Sequence, residues 1–285
     1  MEKYTELVFE ADNEIQELLV AELSPLNFDS FTQEDNRLMA YSLSEDYAVN
    51  QSSIDEIVQR YGVKLLSFKE IENNVNWNKE WEESFQPIVI GNEIYVRAQF
   101  HETKQGFKHE IIIQPKMSFG TGHHETTQLM MELMLEHNFM DAACLDMGCG
   151  TGVLAILAEQ LGAAHTIAVD YDSWCFENTQ ENFEINGMKH ATAVLGDAQV
   201  LSDPEFLDLW MPFNKRVILS NITKNYNLEN ISIYHQIAQP GNIILISGFY
   251  EDDLQDLRNE AAIYGLIFVK SKVRNNWCAA VFLQQ

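Results

Sequence analysis

Cationic side chains are scarce in this sequence: 18 Lys and Arg stand against 43 Asp and Glu, a formal charge of −25 over 285 residues. Attraction to phosphate dominates nucleic-acid affinity, so this deficit argues against direct nucleic-acid binding and makes a basic protein the easier partner. The acidity would serve solubility equally well. No stretch approaches the roughly 20 apolar residues that a membrane span requires. The opening MEKYTELVFEADNEIQ also lacks the basic and apolar regions of a secretory leader. A cytoplasmic protein with no membrane partner is the expectation. Cysteine is sparse too: Cys144, Cys149, Cys175 and Cys278 form no CxxC pair, and free thiols in a reducing compartment fit best.

What is present is the composition of a globular chain, 46% hydrophobic and 21% charged, long enough for two domains. Residues 1–70 alternate strand and helix. Tyr4–Glu10 alternates as a strand does, and Asp12 caps a helix whose Ile15, Leu18, Leu19 and Leu23 share a face. Phe28–Thr32 and Arg37–Leu43 read as strands. Ser53 and Glu56 form a capping box for a helix ending near Gly62, and Val63–Phe68 is a further strand. The order βαββαβ is that of an α+β ferredoxin-like domain. Residues 71–114 read as a connection, with Trp77, Trp81 and Phe85 four apart on one helical face. Short β segments follow at Ile88–Ile90, Ile94–Ala98 and Glu110–Ile113.

From residue 115 to 285 strands and helices alternate, which calls for an α/β domain with a doubly wound parallel sheet. Strands are expected at Ala143–Met147, His165–Val169, Thr192–Leu195, Val217–Ser220 and Asn242–Ser247. Ile267–Ser271 and Asn276–Phe282 leave no room for a helix between them and must pair as a hairpin, making seven strands.

The chemistry concentrates at the strand ends. CLDMGCGTG, residues 144–152, is a buried strand running into glycines 148, 150 and 152, and the helix VLAILAEQLG follows. Such glycines admit a ligand close to the backbone and present free amides at a helix N-terminus. Asp170 stands 22 residues after Gly148 at the end of the second strand, where a carboxylate accepts a ribose diol. A helix N-cap would explain it as well. The pair suits a dinucleotide or S-adenosylmethionine. A dinucleotide loop wants a glycine at the position of Val153, and the closing hairpin is foreign to a plain dinucleotide fold, so S-adenosylmethionine is preferred. Asn221, in Ser-Asn-Ile-Thr after the fourth strand, is placed to touch ligand or to make a turn. In MSFGTGHHETT, residues 117–127, the glycines suggest a loop over the ligand. His123, His124 and Glu125 have no third ligand at a helpful spacing, so no metal is expected. Thr126 could simply cap a helix beginning at Gln128.

FGTGHHETT, LDMGCGTGVLAI, AVDYD, SNIT, and the PGN and SGF that bracket strand five, together with NWNKEWEESFQPIVIG, resemble the ribosomal protein L-eleven methyltransferase family (PrmA) over nearly the whole chain. The resemblance implies a class I S-adenosylmethionine-dependent methyltransferase domain joined by a linker to a ferredoxin-like domain that recognises the ribosomal protein. It implies methyl transfer to lysine side-chain amines of that protein, with its N-terminal amine a further acceptor. By position, Thr127, Gly148, Asp170 and Asn221 match the family's cofactor contacts. Phe119 as an aromatic lid, Gly150 as loop backbone and Asp197 as a carboxylate near the adenine are second-rank candidates. Asn221 is the candidate that positions the amine. The chain departs from the family in Thr223, where Leu is more common, and around Pro204–Pro212. The strong acidity suggests a substrate met free rather than on assembled ribosomes. Methyl transfer to another protein or to a nucleic-acid base is one alternative; the Asn-Pro-Pro-aromatic element common in base methyltransferases is absent after strand four. NAD-dependent oxidation is the other.

Overall fold

The computed structural model describes residues 3–34, 36–72, 85–115 and 119–285. The chain divides into two compact units, Met1–Ser84 and Phe85–Gln285. The expected aromatic helix carrying Trp77 and Trp81 lies outside the described residues.

The first unit runs β1 (Lys3–Glu10), α1 (Asn13–Leu23), β2 (Phe28–Glu34), β3 (Arg37–Leu43), α2 (Ser44–Tyr61), β4 (Lys64–Glu72). Its antiparallel sheet has the order β2-β3-β1-β4, the ferredoxin-like arrangement. Leu7 and Phe9 of β1, Leu38 and Ala40 of β3, Leu19 and Leu23 of α1, and Ile54 and Ile57 of α2 share one core, each large side chain contributing roughly 1.5–3 kcal/mol by leaving water. Two details differ from the sequence reading. Leu18 is 43% exposed and does not join that face. Helix α2 starts at Ser44, not Ser53. Its first half is polar and shows no apolar period, but Glu45 and Asp46 in the first turn favour the helix dipole. Ser53 and Glu56 sit exposed in mid-helix.

The second unit opens with a three-stranded sheet, β5 (Ile88–Ile90), β6 (Ile94–Arg97) and β7 (His109–Ile112). Helix side chains grip β7 and the residues after it. Asn186 bonds both the N–H and the carbonyl of Ile112, and Asn182 accepts from Gln114 N–H at 2.7 Å. Then come α3 (Glu125–Met134), β8 (Ala143–Met147), α4 (Val153–Gln160), β9 (His165–Asp170), α5 (Ser173–Ile185), β10 (Ala191–Leu195), α6 (Pro204–Trp210), β11 (Arg216–Asn221), α7 (Lys224–Ile237), β12 (Ile243–Tyr250), α8 (Leu254–Ile263), β13 (Leu266–Arg274) and β14 (Trp277–Gln284). The seven-stranded sheet has the order β10-β9-β8-β11-β12-β14-β13. Its first five strands are parallel, and β14 is antiparallel to both neighbours.

Strand residues alternate between two cores because successive side chains leave opposite faces of a sheet. Cys144, Leu219, Leu245 and Val281 face α3, α4 and Phe183 of α5. Leu145, Ile218, Ile244 and Phe282 face Trp210, Tyr234 and Leu257 of α6, α7 and α8. Both faces are covered, so the central strands read as continuous apolar runs. Strand order reverses between β8 and β11. That switch point opens a crevice beyond the carboxyl ends of the strands, where ligands of such sheets bind.

Candidate active site

Gly148 follows β8 and faces Ile222, just past β11, across the switch point; a Cβ on Gly148 would lie 2.6 Å from the Ile222 side chain. The loop that follows is held by its own amides. Gly148 and Cys149 N–H donate to Val169 O, Gly150 N–H to the Asp170 carboxylate at 2.9 Å, Thr151 N–H to Phe119 O, and Gly152 N–H to Cys149 O. Each amide from 148 to 152 therefore has a partner inside the protein. Within the loop itself the glycines give shape and do not form an anion nest, so a pyrophosphate would find no donor among those five amides. A sulfonium nucleoside needs none.

Gly150, at φ +55, marks the tightest contact on this side, since a Cβ there would sit 2.2 Å from Phe119 O. Thr151 Oγ1 donates to Gly120 O at 2.6 Å, so the segment at 119–122 packs on the glycine loop. Helix α3 begins at Glu125, with His124 as its N-cap accepting from Thr126 N–H, not at Gln128 with Thr126 as cap. His123 bonds Gln86 O through Nε2 at 2.9 Å.

Asp170 is 6% exposed. Its two oxygens accept from Gly150 N–H and Asp172 N–H, while the N-cap of α5 is Asp172. The capping role considered for Asp170 thus falls two residues later, leaving its remaining lone pairs toward the cavity it lines.

That cavity, about 380 Å³, is bounded by Phe119, Gly148, Gly150, Asp170 and Asn221 of the sequence candidates. Asn221 closes β11, and its Oδ1 is buried with no hydrogen-bond partner, while its Nδ2 donates to Thr127 Oγ1 at 3.2 Å. Asn227, fully buried, fixes the turn behind it: Nδ2 reaches Ile222 O, Thr223 O and Ser247 O, and Oδ1 accepts from Ser220 Oγ at 2.6 Å. Thr127 and Asp197 line no part of the cavity. Thr127 is fully buried behind Asn221, and Asp197 caps a short turn by accepting from Gln199 N–H.

Of the far wall, the sequence pointed only to Phe119. Phe119, His124, Trp277 and Tyr250 form a row of rings with centroids 5.2, 4.7 and 4.2 Å apart in turn. Trp277 comes from the hairpin, and nothing local distinguishes it from a core residue. Tyr226, also lining the cavity, accepts from Ala198 N–H, and burial raises its pKa. Beneath the glycine loop Asp146 is fully buried, which pushes its carboxyl up to about 7, although its Oδ2 accepts from Ala155 N–H.

A largely apolar cavity with one buried carboxylate, an unpartnered amide oxygen and a glycine-shaped floor fits a nucleoside joined to a cationic sulfonium. The family described as ribosomal protein L11 methyltransferase (PrmA) matches residues 6–285. The ribosomal protein L11 methyltransferase of Porphyromonas gingivalis is 41% identical over 268 residues, 93% of this chain and 90% of that one. That of Bacteroides fragilis is 36% identical over 289 residues, 99% of each. The solved ribosomal protein L11 methylase of Lactobacillus delbrueckii subsp. bulgaricus shares the fold, with a TM-score of 0.62 at 20% identity over 70% of this chain and all of that one. A sequence match that spans both units, on a sheet that carries its cavity at the switch point, places this chain in the ribosomal protein L11 methyltransferase family.

Proposed function

We propose that this chain uses S-adenosylmethionine to methylate lysine side-chain amines of ribosomal protein L11, with the N-terminal amine as a further acceptor, and that it meets L11 as a free protein. Held in the cavity, S-adenosylmethionine would supply an electrophilic methyl group to a neutral amine and leave as a thioether. Asp170 would accept the ribose hydroxyls, Gly148 and Gly150 would give the ligand access to the floor, and Phe119 would cover it. The observation that carries the reading is the largely apolar cavity at the strand switch point, lined by Gly148, Gly150, Asp170 and Asn221.

The amine must arrive neutral, because its lone pair attacks. A lysine amine is ordinarily protonated, with a pKa of about 10.4, and a slot lined by apolar rings favours loss of that proton before attack. Asn221 then accepts one remaining N–H and fixes the direction of the lone pair. Positioning accounts for the rate, and no dedicated base is required. The acidity of the chain favours a basic ribosomal protein before RNA covers it.

Calorimetry with S-adenosylmethionine, and NAD as control, tests the cofactor. Intact mass of L11 after incubation tests the reaction. Binding of S-adenosylmethionine alone, followed by gains of about 14 Da per methyl on L11, is expected, with free L11 modified faster than ribosomal subunits. Binding without a gain on L11 would move the substrate elsewhere, and thermal stabilisation by NAD would overturn the cofactor.

A further inference from the structure

We infer that Tyr226 sets the base specificity of the cofactor cavity: its phenol closes the end of the cavity beyond Asp170 and meets the edge of the nucleobase. The inference rests on the reading of the site given above and deepens it. Along the carboxyl ends of the sheet the cavity runs from Gly248 of β12 and Asn221 of β11, past Gly148 after β8, to Asp170 of β9. The next strand end is that of β10, and the turn after it, which carries Asp197 and Ala198, is not part of the lining. Tyr226, in the first turn of α7, lies across that end. It lines the cavity, and its hydroxyl accepts from Ala198 N–H at 3.1 Å. Burial raises the pKa of the phenol, and the nearby carboxylates of Asp197 and Asp170 raise it further, so the wall it makes is neutral.

The direction of the ligand follows from the two ends of the cavity. Asp170 takes the ribose in this reading, and a ribose holds its base and its sulfonium chain on opposite sides. The rings of Phe119 and His124 adjoin Trp277 of β14 and line the end at which the acceptor amine meets the sulfonium. The base therefore extends the other way, past Asp170 toward β10 and Tyr226. In an adenine nucleoside the edge that carries the exocyclic amine lies farthest from the glycosidic bond, so that edge meets the phenol. A packed wall at that place admits a base of one length and rejects a longer one. Asp197 accepts from Gln199 N–H outside the lining and does not supply it.

Two ligands test the assignment by calorimetry on the full-length chain: S-adenosylhomocysteine, and the same molecule with a benzyl group on the exocyclic amine of its adenine. The readout is the ratio of their dissociation constants in wild type, Tyr226→Ala and Asp197→Ala. Wild type is expected to bind the benzyl derivative at least about thirtyfold more weakly than the parent, since a fixed wall resists overpacking. Tyr226→Ala is expected to weaken the parent about tenfold, the worth of one ring contact. The same variant brings the derivative within about threefold of the parent, because the benzyl group fills the space that the phenol leaves. Asp197→Ala keeps the wild-type ratio. A wild type that takes the derivative as readily as the parent, a Tyr226→Ala chain that keeps the wild-type ratio, or an Asp197→Ala chain that loses it would overturn the inference. Instability alone would weaken both ligands alike and leave the ratio where it was. Should alanine prevent folding, as a melting curve would show, Tyr226→Leu keeps the apolar packing, still shortens the wall and takes its place. Failure of the wild type to bind S-adenosylhomocysteine would instead overturn the cofactor assignment.

Discussion

The two walls of the cavity are built by opposite means. The floor, from the ends of β8, β9, β11 and β12, is backbone against backbone. A Cβ on Gly248 would sit 1.7 Å from Ile222 O, and one on Gly150 2.2 Å from Phe119 O. The far wall is side chain against side chain: α3 and the turn after it are tied to the hairpin by four carboxylate–cation pairs of moderate exposure, and the cavity is faced with the rings of Phe119, His124 and Trp277, Phe119 about half exposed. A backbone contact admits no substitute, because no other residue is smaller than glycine. A side-chain contact degrades gradually. The floor can thus define one ligand shape, while the wall can vary with the polypeptide it meets.

Gly248→Ala tests the contrast most severely. Gly248 sits at φ +87 within the register shift of β12 against β14, so an added methyl must displace the Ile222 carbonyl and with it Asn221. A loss of about 3 kcal/mol or more in denaturant unfolding is expected, together with loss of S-adenosylmethionine binding; a variant with wild-type stability and affinity would show that the floor is pliable after all.

Asp146 tests the floor by pH. Its folded pKa is raised to about 7 by burial, above an unfolded value near 4. Between those values the folded state binds more protons than the unfolded, so this group makes stability fall as pH rises, by at most about 1.4 kcal/mol per pH unit. In Asp146→Asn, which retains an acceptor for Ala155 N–H, that slope disappears. Parallel stability profiles of the two proteins from pH 4.5 to 7.5 would show that Asp146 ionises normally.

The smallest effect is expected in the far wall. Glu136, held down to about 2 by its hydrogen bonds to Lys270 and Lys272, is 40% exposed. The pair stabilises above the unfolded carboxylate value and is lost as pH falls toward 2, but solvent screening limits Glu136→Gln to under about 1 kcal/mol at neutral pH. The loss should vanish in high salt. A salt-independent loss of several kcal/mol would mean that this wall is as over-determined as the floor.

The same contrast explains what could be read in advance. Gly148, Gly150, Asp170 and Asn221 were legible because backbone geometry restricts a strand end to few residue types, and those types recur at fixed spacings. The seven-stranded sheet was legible from alternation. Trp277 was not, because a tryptophan in an apolar strand looks the same whether it faces core or cavity. Nor was the internal use of the loop amides: whether an N–H is free depends on Val169 and Phe119, which sequence spacing does not bring together. The start of α2 was hidden because an exposed polar half-helix carries no hydrophobic period.

Strand β14 lies between β12 and β13 although it follows both in the chain. A growing polypeptide therefore emerges from the ribosome with β12 exposing an unpaired edge and β13 lacking its neighbour, and the sheet closes only when residues 277–284 have cleared the exit tunnel. Trp277 arrives with that strand. Until residues 277–284 have emerged, the nascent chain lacks that part of the cavity wall.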